Sequence, residues 1–308
     1  MEKAEILKRN SLEIVPEEKI ESILKKENPV AYCGYEPNGP VHLGHLVTLL
    51  KLKDLSEIGF HVKVLLADLH AFLNMKDLQE IEENMEHWKK FSKKLLNCEV
   101  VVGSSFQLEK DYMSDVLRLS QKITIDRGLR SMQGIARDFD NAHISQIIYP
   151  LMQVMDIKYL GVDLAVGGME QRKVHMLALE NLKDFGHECV YLHMPLLDSL
   201  LGPGQKMSKS IPGSCIFVTD SDEKIEKAIM NAFCPAGENN PVLQIAKYII
   251  FSMEKEFEIK RPEKYGGDLK IEKYEDLERL FFEKKIHPLD LKKAVSESLK
   301  EILGRLRV

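Results

Sequence analysis

Cysteine is scarce and scattered. Cys33, Cys98, Cys189, Cys215 and Cys234 make five in 308 residues, an odd number with no C-x-x-C pair. That excludes a disulfide framework or a cysteine-held metal and fits reduced thiols in a cytoplasm. No apolar run approaches the roughly 20 residues that cross a bilayer; Val62–Ala67 is among the longest and already contains Lys63. Residues 1–20 are mixed charged and polar, without the apolar stretch of a secretory signal. There is no internal repeat or low-complexity segment, which argues against a solenoid. There is also no excess of positive charge. Lys and Arg number 43 against 48 Asp and Glu, a net charge of −5, so any nucleic-acid binding must use local patches. What is present is a chain 44% hydrophobic and 30% charged, enough for a sizeable core in one large domain or two ordinary ones.

Over the first two-thirds, short apolar runs alternate with helical periodicity. Val30–Gly34, His61–Ala67, Glu99–Gly103, Val162–Val166 and Cys189–His193 read as strands. Residues 42–57 and 77–96 read as helices, and 109–160 as mainly helical. Alternation of this kind predicts an α/β domain, a parallel sheet wrapped by helices. The run from about 109 to 145 breaks the alternation and is expected to be a helical insertion. Gly202, Pro203 and Gly204, then Pro212 and Gly213, predict a loop over 202–213. Beyond it the pattern is mostly helical, so the expected division is 1–212 and 213–308.

Two clusters suit phosphate chemistry. The first, Gly34-Tyr-Glu-Pro-Asn-Gly-Pro-Val-His-Leu-Gly-His45, runs from a strand end through a tight turn into a helix start. Its unpaired N–H groups and positive dipole end suit a phosphate. His42 and His45, three apart, point from one side of the first turn, and Gly44 leaves room for a flat ring against the backbone. The second is Lys206-Met207-Ser208-Lys209-Ser210, whose lysines can close over a triphosphate and neutralise a leaving pyrophosphate. Taken singly, each is also an ordinary feature: a strand–helix turn with two histidines, and an exposed basic loop. A third feature is a polar stripe, Tyr149, Gln153 and Asp156 at i, i+4 and i+7, on a helix otherwise carrying Leu151, Met152, Val154 and Met155. Polar groups on a buried helix need partners, and a ligand is a good candidate.

H-x-G-H followed by K-M-S-K-S resembles the class I aminoacyl-tRNA synthetases, and the fuller pattern is similar to their short archaeal-type tyrosyl branch over nearly the whole chain. The resemblance implies a Rossmann-like catalytic domain with a helical insertion, then an α-helical anticodon-binding domain. Ligands are then expected at the carboxyl ends of the strands. It implies L-tyrosine, ATP with Mg²⁺ carried on the nucleotide, and tRNA(Tyr) as substrates, no protein-held metal, and a homodimer joined through the insertion. By the same resemblance His42, His45, Lys206 and Lys209 are catalytic, and Gly44, Glu170, Met207 and Ser208 bind ATP. Tyr32, Gly34, Glu36, His70, Tyr149, Gln153, Asp156 and Gln171 hold tyrosine, with Tyr32 and Asp156 meeting its phenol. Leu65, Phe106, Gln107 and Leu160 match further pocket positions. A Tyr hydroxyl and an Asp carboxylate converging on one point reject an analogue without the hydroxyl, an established property of that family. Lys209 stands where many archaeal relatives have Ser, which leaves the division of work between the two lysines open.

For tRNA, the resemblance assigns Arg130 and Arg172 to the first base pair of the acceptor stem. Arg127 and Arg137 lie in the same insertion. Tyr265, His287 and Asp290 match anticodon-reading positions, with Lys284, Lys285, Lys292 and Lys293 nearby. Arg suits bidentate contact with a base edge, and Tyr a stacking platform. Three alternatives share part of this pattern: a tryptophanyl-tRNA synthetase, a small-molecule nucleotidylyltransferase, and a non-catalytic RNA-binding paralogue. Tyr32 with Asp156 argues against the first, the polar helix and C-terminal domain against the second, and retention of both histidines and both lysines against the third.

Overall fold

The computed structural model describes residues 3–133, 135, 141–237 and 240–308; Arg137 lies outside them. The chain forms two compact units, residues 1–39 with 51–195 and residues 40–50 with 196–308.

The first unit is built on a six-stranded sheet. Its strands are β1 (Glu13–Val15), β2 (Val30–Tyr35), β3 (His61–Leu66), β4 (Glu99–Val102), β5 (Leu164–Gly168) and β6 (Val190–Met194), in the order β1-β6-β5-β2-β3-β4. Strands β2 to β6 are mutually parallel, as the alternation implied. The edge strand β1 is antiparallel to β6, pairing Glu13 with His193, and three residues without alternation gave no sign of it. The chain runs from β2 outward to β4, then crosses back to β5 on the other side of β2. That reversal opens a crevice at the carboxyl ends of β2 and β5, the place where open α/β sheets bind ligands. β5 and β6 are wholly buried, which explains their continuous apolar reading.

The helices bury their apolar faces for legible reasons. Leu43–Glu57 buries Leu43, Leu46, Leu49, Leu50, Leu52 and Leu55, apolar nearly all round, as a helix inside a core must be. Leu78–Leu95 is instead amphipathic: Asp77 caps it by accepting from Glu80 N at 3.0 Å, and it buries the stripe Ile81, Trp88, Phe91 and Leu95. Lys51 is buried yet satisfied, donating to the carbonyls of Ile6 and Leu7 at 2.9 and 3.1 Å beside Asp54. Burial pushes its ammonium down to about 8. The expected insertion contains the helices Lys110–Ser120 and Ile125–Ser131, followed by Ser145–Tyr159.

In the second unit, Gly202–Lys206 is a strand, β8, paired with β7 (Asp198–Ser199), and not the loop that its glycine density implied. Gly202 and Gly204 have φ of 132° and 91°, so the glycines bend a strand that other residues would not follow. The long helix Pro288–Leu306 packs on Asp222–Asn231. A small hairpin, β9 (Phe257–Ile259) with β10 (Leu269–Ile271), interrupts the helical pattern around the Pro262–Gly267 turn. Among the described residues no helix is long and apolar enough to cross a membrane.

Candidate active site

In the first unit, polar side chains collect at the carboxyl ends of β2 to β5. Helix Ser145–Tyr159 lays Tyr149, Gln153 and Asp156 along one face, and each meets a partner from elsewhere. Tyr149 Oη donates to Glu36 Oε1 at 3.0 Å, and Glu36 also accepts from Asn74 and Asn38. Gln153 Nε2 donates to Gln171 Oε1 at 3.0 Å. Asp156 Oδ1 accepts from Gln107 Nε2 at 2.7 Å and from Tyr112 Oη at 2.8 Å. Burial pushes the Asp156 carboxyl up to about 7 against the pull of these two bonds.

His70 completes this corner. Gln107 Nε2 lies 3.3 Å from His70 Nδ1, which therefore accepts, and the ring proton sits on Nε2. Burial pushes the imidazole down to about 4, so it is a neutral donor. Tyr32, buried on β2, places its hydroxyl 3.7 Å from where a Cβ at Gly34 would stand. Burial, then the Asp156 charge, keeps its phenol protonated.

Five buried polar atoms at this site have no hydrogen-bond partner among the described residues: His70 Nε2, Gln107 Oε1, Gln153 Oε1, Asp156 Oδ2 and Glu170 Oε2. Each such atom costs about 1–3 kcal/mol, so their concentration marks a place chemically suited to a polar ligand. The glycines at the end of β5 make room for the chain's own side chains: a Cβ at Gly168 would collide with the Glu170 carboxylate, and one at Gly167 would stand 2.9 Å from Gln171 Cβ.

The second unit holds the two histidines and two lysines. His42 N donates to His45 Nδ1 at 3.2 Å and Gly44 N to His42 Nδ1 at 3.1 Å. Both Nδ1 atoms therefore accept, and both rings carry their proton on Nε2. The rings stack at 3.7 Å. Gly44 is required by this packing, since a Cβ there would stand 2.8 Å from His42 Cε1: the flat ring against its backbone is that of His42. Burial, with the positive charges of Lys206 and Lys209, pushes His42 down to about 4, and burial holds His45 well below the histidine range. Both act as neutral donors. The turn is tied to the segment after the lysine loop: Leu43 N donates to Ile216 O at 3.0 Å and Val218 N to Val41 O at 2.9 Å. Ser214, which the sequence did not single out, closes that loop by accepting from Ser208 N at 3.2 Å and donating to Ser208 O at 2.6 Å. Among the described residues, no three His, Cys, Asp or Glu side chains group as a metal site.

Residues 24–304 match the family model for class I tRNA synthetases of the W and Y type. The tyrosine–tRNA ligase of Methanocaldococcus jannaschii is 50% identical, over 100% of this chain and 99% of that one. The ligase of Methanoculleus marisnigri is 46% identical, over 99% and 97%. The chain belongs to the tyrosyl-tRNA synthetases of class I. A crystal structure of the Archaeoglobus fulgidus tyrosyl-tRNA synthetase complexed with L-tyrosine aligns with a TM-score of 0.95 at 45% identity, covering 99% of this chain and 98% of that one.

The positions expected to meet RNA lie in both units. Arg130 is exposed at the end of helix Ile125–Ser131. Arg127 is engaged by Glu180 at 2.9 Å, and Arg172 by Glu13 at 2.7 Å. In the second unit Tyr265 is 62% exposed in the β9–β10 turn, with Lys264 Nζ 4.8 Å from its ring centre. His287 caps helix Pro288–Leu306, accepting from Leu289 N at 3.1 Å, and Asp290 lies in that helix's first turn. Arg261 joins the two places, donating to Gly267 O and to Lys285 O, both at 2.7 Å. Lys292 turns inward, donating to Met230 O at 2.9 Å.

Proposed function

We propose that this chain activates L-tyrosine with ATP and transfers it to the 3′ end of tRNA(Tyr). The observation that carries the tyrosine assignment is the facing pair Asp156 Oδ2 and His70 Nε2–H, an unpaired acceptor and donor 3.5 Å apart. A phenol hydroxyl satisfies both, whereas an indole N–H can donate to Asp156 but accepts nothing from His70, and a benzyl group satisfies neither. Tyr32 offers the same hydroxyl a further partner, while Tyr149, Gln153, Gln171 and Glu36 receive the amino acid's ammonium end, with Gly34 leaving space.

In the first step a tyrosine carboxylate oxygen attacks the α-phosphorus of ATP, brought with Mg²⁺, and the bond to the bridging oxygen breaks to release pyrophosphate. In the second, a terminal ribose hydroxyl of tRNA attacks the tyrosyl carbonyl and AMP leaves. No side chain forms a covalent intermediate; positioning and charge stabilisation do the work. His42 and His45 supply neutral Nε2–H donors, and Lys206 and Lys209 the positive charge. Gly44, Met207 and Ser208 shape the loop and turn for ATP, and Glu170 faces its ribose. Arg130 and Arg172 meet the acceptor end. Tyr265, His287 and Asp290, in a 213–308 anticodon-binding domain, meet the anticodon. Exposed Leu117 and Ile125 on the inserted helices support a homodimer through that region, and reduced cysteines support a cytoplasmic location.

The test is ATP–pyrophosphate exchange without tRNA, using tyrosine, phenylalanine and tryptophan. Exchange with tyrosine alone, abolished in His45→Ala and sharply weakened in Asp156→Ala, is expected. Exchange with tryptophan would overturn the pocket assignment, and no exchange at all would leave the RNA-binding alternative.

A further inference from the structure

Away from the tyrosine pocket, the edge strand β1 carries a carboxylate held from two sides. Arg172 Nε donates to Glu13 Oε2 at 2.7 Å and Arg172 Nη2 to Glu13 Oε1 at 2.9 Å, a side-on two-point pair. His193 Nδ1, on β6, stands 2.9 Å from Glu13 Oε2, and His175 Nδ1 stands 3.0 Å from His193 Nε2. Burial holds both imidazoles below the ordinary histidine range, so both are neutral. In neutral rings one proton arrangement makes both bonds: His175 Nδ1–H donates to His193 Nε2, and His193 Nδ1–H donates to Glu13. Glu13 is also the register partner of His193 across the β1–β6 pair, so the backbone fixes the carboxylate too.

The side-on pair uses one edge of the Arg172 guanidinium. The end-on edge, Nη1 with the outer N–H of Nη2, has no partner among the described residues, and the side chain is 44% exposed. Arg172 directly follows Gln171 of the tyrosine pocket. We propose that Glu13 is a positioning residue for acceptor-stem recognition: it clamps Arg172 side-on, so that the guanidinium presents a fixed pair of N–H donors to a base edge of the first base pair. The clamp rests on the reading that Arg172 meets that pair. An unclamped arginine loses far more rotamer freedom on binding, and its fork matches a base edge only in one orientation.

The experiment compares Glu13→Gln, Glu13→Ala and Arg172→Ala on a tRNA(Tyr) transcript and on the same RNA with its first base pair inverted. Charging gives kcat and KM for each RNA, and tyrosine-dependent pyrophosphate exchange without RNA reports on the folded pocket. Glu13→Gln should raise KM for tRNA about five-fold or more and narrow the preference for the native first pair. Those losses are a part of the roughly tenfold and upward carried by a bidentate base contact. Exchange in Glu13→Gln should stay within about two-fold, and Glu13→Ala should lose more of the preference than Glu13→Gln. Unchanged KM and preference in both Glu13 variants, with preference lost in Arg172→Ala, would overturn the clamp alone. Preference retained in Arg172→Ala would overturn the clamp by removing the reading beneath it. A parallel fall of exchange and charging in both Glu13 variants would make Glu13 a sheet-edge stabiliser and overturn it as well.

Discussion

Asp156 Oδ2 and His70 Nε2 face each other at 3.5 Å, and neither has a hydrogen-bond partner among the described residues. The other oxygen, Oδ1, accepts from both Gln107 and Tyr112. The carboxylate's orientation is therefore set before any ligand arrives, while its second oxygen stays available. On the proposed pocket assignment, an amino acid without the hydroxyl leaves at least the His70 donor buried and unsatisfied, which is the basis of the discrimination expected here.

Tyr112 is the member of this network that should be tested first. Tyr112→Phe keeps the ring in its buried place and removes one donor from an ionised carboxylate. A hydrogen bond to a charged group contributes about 1.5–3 kcal/mol, so kcat/KM for tyrosine in pyrophosphate exchange should fall at least about tenfold. Phenylalanine should be much less affected, and the tyrosine-to-phenylalanine ratio should narrow. An unchanged ratio would show that Tyr112 only fills space.

The Asp156 carboxyl also makes the pocket pH-dependent. Burial raises it from the ordinary 3.8 to about 7. A group raised on folding contributes stability that is fully present below its unfolded value and is lost as pH rises through its folded value. Ligand-free protein should therefore lose thermal stability on this account between about pH 4 and about pH 7, and Asp156→Asn should remove that part of the slope. Tyrosine binding runs the other way. A phenol donor favours the ionised carboxylate, so affinity should rise with pH through about 7 and then level, with proton release on binding below that point. Calorimetry in buffers of different ionisation enthalpy reads the proton directly, and a flat affinity profile with no proton release would sink the argument.

The sequence exposed those parts of the fold and site that are local. The stripe Tyr149, Gln153 and Asp156 lies on one helix, so its spacing alone places the three side chains on one face. The parallel strands declared themselves as short apolar runs because β5 and β6 are buried on both faces. Tyr112 was hidden because a buried aromatic on an amphipathic helix reads as core until its hydroxyl is seen on Asp156. Glu13 was hidden more deeply: its partners Arg172 and His193 are 159 and 180 residues away. Gly202 and Gly204 misled because glycine density signals a loop, while here it bends a strand.

The stacked histidines yield a prediction about which nitrogen matters. Both Nδ1 atoms accept backbone N–H bonds, so both rings present Nε2–H. His45→Gln, whose amide nitrogen lies near the Nε2 position, should retain more activity than His45→Asn, whose amide falls near Nδ1. Removing a transition-state donor costs about 10²–10³ in kcat, and His45→Ala should show a loss of that order in pyrophosphate exchange. Gly44→Ala should lose activity too, because its Cβ would stand 2.8 Å from the His42 ring and displace it. Equal activities for the Gln and Asn variants would contradict the tautomer assignment.

Arg261 offers a test of the anticodon end that does not touch the proposed base-reading residues. Its Nε and Nη1 donate to carbonyls in two different turns, one following Tyr265 and one preceding His287. A planar fork spans two carbonyls at once, whereas lysine carries its donors on a single ammonium. Arg261→Lys therefore keeps the charge and gives up the bridge. With the turns no longer held together, KM for tRNA in charging should rise several-fold, on the order expected for about 1 kcal/mol of lost hydrogen bonding. Discrimination against a transcript with an altered anticodon should weaken with it. Tyrosine-dependent exchange without tRNA should be unaffected, because activation uses neither turn. If charging of both transcripts is unchanged, the Tyr265 and His287 turns are held in place by other contacts, and the anticodon assignment loses the support that Arg261 gives it.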